Sequence, residues 1–268
     1  MPLFKYKEIE INYIKRGKGE PLLMFQGLGQ TIDSWTFQLP FFKRKMMVIA
    51  LDNRGVGGSS RPDYPYTMDM FINESKALLD YLEISDKVHL IGVSLGGMIA
   101  QNFVLKHPEL VKTITLLATA SHLDPGPLLD RYRIIMEEME PEDAFISRLE
   151  LMFSDKFIKR VNEDRKLYDT LFDKLGKSTT RMQDYKNRSA AVKGLNTADL
   201  LHAISQPTLI LAGSEDKLVP VEESKILHEK IPNSTLEIIE GYGHGSLLVE
   251  DFQKVNNTIW NFIEQYIG

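Results

Sequence analysis

Gly92-Val93-Ser94-Leu95-Gly96-Gly97 carries the G-x-S-x-G spacing of a serine held on a tight turn. The apolar run Val88 to Val93 precedes it, and Met98, Ile99, Val104 and Leu105 follow at helical spacing. That strand–turn–helix context turns a weak string into a nucleophile candidate. Glycines flank the serine because side chains there would collide with the neighbouring strand and helix. The turn would project the Ser94 hydroxyl past the carboxyl end of the strand, at a helix N-terminus whose free N–H groups and dipole favour a developing oxyanion. The plainer alternative is a serine that merely caps a helix.

A serine nucleophile needs a base, and the chain has six histidines. His89 sits inside an apolar run and reads as a packed strand residue. His107, before Pro108, reads as the end of a helix, and His202 and His228 read as surface positions. His122 follows a strand end and is a decoy. His244 lies in Gly241-Tyr242-Gly243-His244-Gly245, just after the run 236–239. A glycine-rich loop there would carry the imidazole over the same sheet edge as Ser94. Asp216 follows the run Thr208 to Ala212 and is the candidate for the acid that orients the imidazole and stabilises its charged form. Glu215 and Asp124 are its rivals. The N–H of Leu95 is one expected oxyanion donor, and the N–H of Leu28, in Gln26-Gly27-Leu28-Gly29, is the other. For that second loop a plain glycine turn is the alternative. Together these residues specify acyl transfer through Ser94.

The elements that must position them follow from patterning. FKYKEIEINYIKRG alternates on both sides of its centre and reads as a hairpin. Runs beginning at Pro21, Met46, Val88, Thr113, Thr208 and Leu236 are continuous rather than alternating, as expected for parallel strands buried on both faces. Helical-period segments separate them, with Phe71, Ala77, Leu78 and Tyr81 on one face, so an α/β sheet covered on both sides is expected. Residues 121–200 break the alternation. They hold no convincing strand, and their 15 acidic and 14 basic residues are nearly balanced. Tyr132, Ile135, Met136 and Met139 share one helical face there, and Phe145, Leu149, Met152 and Phe153 another, which points to a helical insertion.

Composition excludes other classes. The 268 residues are 43% hydrophobic and 26% charged, as in ordinary globular proteins. A net charge of −5 without a basic block leaves nucleic-acid binding no electrostatic footprint. With no cysteine there is no disulfide, thiolate metal site or Cys nucleophile. No apolar run spans a bilayer and the N-terminus lacks an apolar signal core, so a cytoplasmic location with no membrane partner is expected. The glycines at 27, 29, 55, 57 and 58 do not form a dinucleotide fingerprint. Lys43-Arg44-Lys45 reads as a solvated loop and Trp35 as core.

The chain resembles the α/β-hydrolase superfamily over essentially its whole length, close to the small serine esterases, enol-lactonases and non-metal haloperoxidase-like hydrolases. The order Ser94…Asp216…His244 matches that family's, and Asp52-Asn53-Arg54-Gly55-Val56-Gly57-Gly58-Ser59 is similar to its D-x-R-G-x-G-x-S loop. One departure is Gln26-Gly27 where many relatives carry His-Gly; a Gln amide can also hydrogen-bond within the loop. The resemblance implies an α/β-hydrolase fold, with a core of residues 1–120 and 201–268 and a helical cap of residues 121–200 over the site. It implies a carboxylesterase cleaving small to medium acyl esters, with a small-molecule ester as partner and no cofactor or metal; self-association stays open. Hydrolysis of an enol-lactone, or of a C–C bond in an aromatic-degradation intermediate, is the alternative within the family, with perhydrolase chemistry as a side activity. A ligand-binding receptor on the same fold is the reading from another class, though a pure binder has no need of the three residues in register.

Overall fold

The computed structural model describes residues 1–173 and 180–268. The alternating N-terminal segment forms the hairpin β1 (Leu3–Tyr6) and β2 (Ile9–Arg16), with Tyr6 opposite Ile9. The apolar runs become β3 (Pro21–Phe25), β4 (Met47–Leu51), β5 (Val88–Val93), β6 (Val111–Leu117), β7 (Thr208–Gly213) and β8 (Ser234–Ile239). They build one sheet in the order β1-β2-β4-β3-β5-β6-β7-β8. The pairs β1–β2 and β2–β4 are antiparallel and every later pair is parallel. Each residue of β3, β5 and β7 is buried, which is why these runs lack alternation. The run at Leu236, expected to be buried on both faces, is instead the edge strand β8, where Glu237 is half-buried and Ile238 exposed.

Two apolar layers cover the sheet. Helices α1 (Gln38–Phe42) and α11 (Phe252–Ile263) close one face through Phe42, Val255, Ile259 and Ile263 around Trp35. On the other, α2 (Met68–Tyr81), α3 (Leu95–Lys106) and α9 (Val221–Lys230) bury Phe71, Leu78, Ile99, Phe103 and Leu227. Tyr81, expected on the apolar face of α2, is 56% exposed and instead lays its ring against Phe4.

Between β6 and β7 run α4 (Gly126–Glu137), α5 (Pro141–Met152), α6 (Asp155–Glu163), α7 (Arg165–Leu171) and α8 (Met182–Ser189). Phe145, Leu149, Phe153, Phe157, Val161 and Leu171 form an apolar cluster of their own. The expected face through Met139 does not extend that far. Pro141 disfavours helical backbone at the residue before it, Glu140 is extended, and Met139 lies exposed beyond the end of α4. Residues 174–179 of the expected insertion lie outside the described residues. Among the described residues no helix is long and apolar enough to cross a membrane. The short α10 (Ser246–Val249) follows the loop after β8.

At the amino edge of the sheet, opposite the site, Glu20 ties three strands together. Its carboxylate accepts from Lys112 Nζ at 2.7 and 2.9 Å and from the Gly268 amide at 2.9 Å, and lies 3.0 Å from His89 Nε2. Burial pushes the Glu20 carboxyl up, but these partners outweigh it and hold it at about 2. A carboxyl whose pKa is depressed by folding contributes stability above its unfolded pKa and loses it as pH falls toward the folded value. Glu20→Gln is therefore expected to lower the thermal midpoint at pH 7. The gap to wild type should close progressively between about pH 4.5 and about 2, as followed by thermal denaturation across that range.

Candidate active site

The site begins with a turn that has no loop. Strand β5 ends at Val93 and α3 begins at Leu95, so Ser94 alone reverses the chain, at φ 54°, ψ −121°. Such a backbone is strained for any residue with a Cβ. It persists because Ser94 N–H donates to Leu117 O at 2.9 Å, while Ser94 O accepts from Gly97 N–H at 2.9 Å and from Thr119 Oγ1 at 2.7 Å. A Cβ built at Gly92 would collide with the Gly96 carbonyl, and one at Gly96 with the Phe25 carbonyl. The two glycines let α3 lie directly against β5 and β3. The Ser94 side chain is half-buried, and its Cβ lies 3.4 Å from where a Cβ on Gly27 would be.

Asp216 and His244 meet directly. The loops after β7 and β8 are linked by Glu215 N–H to Tyr242 O at 2.9 Å, and only a residue without a Cβ fits at Gly213 beneath the Tyr242 carbonyl. His244 Nδ1 then lies 2.7 Å from Asp216 Oδ2, with both side chains nearly inaccessible. The other oxygen, Oδ1, accepts from the amides of Leu218 and Val219 at 2.8 Å each, so the carboxylate cannot rotate away. The His244 loop is braced from behind by Gly243 N–H to Ser246 Oγ at 2.9 Å and Gly245 N–H to Met152 O at 2.6 Å. Glu250 accepts from Ser246 Oγ and, at 3.1 Å, from Ser154 Oγ. Burial pushes the Glu250 carboxyl up, against the pull of those hydroxyls.

The loop after β3 completes the arrangement. Among the described residues, no acceptor takes the N–H of Leu28 or Leu95, and no hydrogen bond engages the Ser94 hydroxyl. The structure thus joins Asp216 to His244 and places Ser94 against the Gly27 loop without closing a Ser94–His244 hydrogen bond. Such bonds are often long until substrate is present. Gln26 does not brace its own loop: its Nε2 donates to Leu51 O on the neighbouring strand at 2.5 Å. Gln30 does so instead, accepting from Gly27 N–H at 2.9 Å through Oε1. Asp52 fixes the flanking loops by accepting from Asn12 Nδ2 at 2.6 Å, Ile32 N–H at 2.8 Å and Gly58 N–H at 2.9 Å. Arg54 pairs with buried Glu74, whose carboxyl burial pushes up to about 7 against the pull of Arg54.

The rival residues lie elsewhere. Glu215 is exposed, and Asp124 Oδ1 accepts from its own neighbour's amide, Gly126 N–H, at 2.9 Å. His89 is buried between Thr113 and Glu20 at the far edge, and exposed His122 lies against Leu195 O. Sequence reasoning overlooked Thr119, Gln30, Ser246 and Glu250. Each is a polar residue defined by a partner distant in sequence or by a bond to backbone, and none carries a motif.

A sequence model of the α/β-hydrolase fold matches residues 20–251. The chain belongs to the α/β-hydrolase family. It is 32% identical over 250 residues to a poly(3-hydroxyalkanoate) depolymerase of Ectopseudomonas oleovorans, covering 91% of this chain and 84% of that protein. It is 27% identical to 3-oxoadipate enol-lactonase 2 of Acinetobacter baylyi, covering 90% and 91%. The crystal structure of the enol-lactonase from Burkholderia xenovorans LB400 superposes with a TM-score of 0.86 at 19% identity, over 98% of this chain and all of that one. At that identity the superposition speaks for the hydrolase fold.

Substitutions at Gly96 and Ser94 test the turn. Gly96→Ala drives a methyl into the Phe25 carbonyl and should cost at least about 3 kcal/mol, the upper range for overpacking. Ser94→Gly relieves the strained φ and should unfold at a higher temperature than Ser94→Ala, by an amount worth about 1 kcal/mol. Thermal denaturation of the three variants measures both effects.

Proposed function

We propose that this hydrolase is a serine carboxylesterase that cleaves small to medium acyl esters through an acyl-enzyme on Ser94. The observation that carries the reading is the Asp216–His244 pair, 2.7 Å apart and buried, at the same sheet edge as the half-buried Ser94 and two amides unengaged among the described residues. With Asp216 on Nδ1, the imidazole presents Nε2 as the base. Ser94 Oγ attacks the ester carbonyl and its proton passes to Nε2. The carbonyl oxygen, now an anion, is held by the N–H groups of Leu28 and Leu95. Collapse of the intermediate expels the alcohol with the proton from His244. Water, activated by the same base, then frees the acid.

Helices α4, α5, α6, α7 and α8 act as a cap in this reading. Phe153 stands beside Gly245 next to the base, and the Tyr185 ring lies over Gly29 next to the oxyanion loop. Apolar walls of this kind suit a mainly apolar acyl group. A lactone is a cyclic ester that the same steps would open, and similarity to an enol-lactonase supports including one in the test.

Steady-state hydrolysis of p-nitrophenyl esters from acetate to decanoate, with one lactone alongside, tests the reading. Wild type should turn over the shorter chains. Ser94→Ala should lose at least about 10³-fold in kcat, and Asp216→Asn about 10⁴-fold through the wrong imidazole tautomer. Wild-type turnover no greater than that of Ser94→Ala on every ester and the lactone would reject ester hydrolysis and direct attention to C–C substrates.

A further inference from the structure

Arg188, on α8, is completely buried. Its Nη2 donates to the carbonyl oxygen of Gly27 at 3.3 Å, and its Nε and Nη1 have no hydrogen-bond partner among the described residues. The side chain is wedged between two loops of the site edge, with Cδ 3.4 Å from where a Cβ on Gly55 would be. Burial pushes the guanidinium down to about 10, against the pull of the nearby Tyr185 and Tyr66 hydroxyls and the Asp52 and Asp184 carboxylates, so it is charged at neutral pH. A buried cation without a hydrogen-bonded carboxylate is costly to the fold. Its placement therefore calls for an explanation other than stability.

The Gly27 carbonyl belongs to the same peptide unit as the Leu28 N–H. In a trans peptide the two point in opposite directions, and the chain has no cis bond among the described residues. A cation holding the carbonyl therefore aims the N–H the other way, and by polarising the peptide it also strengthens that N–H as a donor. Gln30 N–H shares the same carbonyl at 3.3 Å. Two further residues of the same segment grip the next turn of the loop. Thr180 Oγ1 donates to Gly29 O at 3.0 Å, and the Tyr185 ring occupies the space a Cβ on Gly29 would need. Tyr185 and Arg188 are three apart on α8 and share a face.

We infer that Arg188 is a positioning residue that orients and polarises the Gly27–Leu28 peptide, so that α8 sets the strength of the oxyanion hole. The inference rests on the reading of Ser94, Leu28 and Leu95 proposed above. It goes beyond that reading by making a helix of the insertion a determinant of the chemical step.

Phosphonylation by a p-nitrophenyl alkylphosphonate is the test. Ser94 Oγ bonds to phosphorus, p-nitrophenolate leaves, the serine proton passes to His244, and the phosphoryl oxygen draws on the same two amides. The saturating rate constant kinact and the half-saturating concentration KI are measured for wild type, Ser94→Ala, Arg188→Met, Arg188→Lys and Arg188→Gln, with a thermal midpoint for each. Arg188→Met should keep or raise the midpoint and hold KI within about twofold, while kinact falls about tenfold or more, less than the full loss of an oxyanion donor. Arg188→Lys, which restores a cation, should recover most of kinact, whereas Arg188→Gln should not. Wild-type kinact in Arg188→Met overturns the inference. If that variant does not fold, equal kinact for the Lys and Gln variants overturns it. Labelling of Ser94→Ala at the wild-type rate would overturn the underlying reading of the site as well; absence of labelling there leaves the reading standing whatever Arg188 does.

Discussion

Strand β5 passes into α3 through a single residue, and the spacing of the layers follows from that passage. A helix that starts immediately after a strand must sit within backbone distance of the sheet. Gly92, Gly96 and Gly97 remove the side chains that would hold it off, against Gly96 O, Phe25 O and Thr119 respectively. The cost is the left-handed backbone of Ser94, held by bonds to Leu117 and Thr119 on the adjacent strand and its extension. Because β3, β5, β6, β7 and β8 run parallel, their carboxyl ends emerge along one edge. Loops from distant parts of the chain therefore arrive beside the same turn.

Those loops are fixed by buried polar groups rather than by apolar packing. Asp52 accepts three hydrogen bonds and joins β2, the segment after Gly29 and the 52–59 loop. A buried carboxylate is tolerable when each bond offsets part of its desolvation, and this one is fully engaged. The Glu250–Ser246–Ser154 cluster does the same behind His244 and reaches the N-cap of α6. The site edge is thus rigid where charge has to be aimed, while Ser94 Oγ and the two amides are left for a ligand.

The helices between β6 and β7 touch that edge at the loops after β3, β4 and β8, with Asp184 paired to Arg61 and Asn187 O accepting from the Tyr66 amide. Met152 O receives the Gly245 amide beside His244, and Thr180, Tyr185 and Arg188 hold the 27–29 loop. The helical insertion has its own apolar cluster, and Thr180 and Arg188 carry hydrogen bonds from it to the loop that flanks the serine. Movement of α8 would therefore be felt at the Gly27–Leu28 peptide.

Periodicity and motif spacing were enough to place the eight strands of the described sheet, the helix that follows Ser94, and the loops after β7 and β8 in which Asp216 and His244 lie. The reason is local: a strand buried on both faces must be continuously apolar, and a turn without a loop requires glycine, so both leave a mark on neighbouring residues. What tertiary structure decided is which polar group answers which. Gln26 turned away to β4, Gln30 took its place, and Arg188 came from 161 positions along the chain to the Gly27 carbonyl. A side-chain hydrogen bond between distant residues imposes no period and no spacing on the sequence, because its partners are set by how the layers pack.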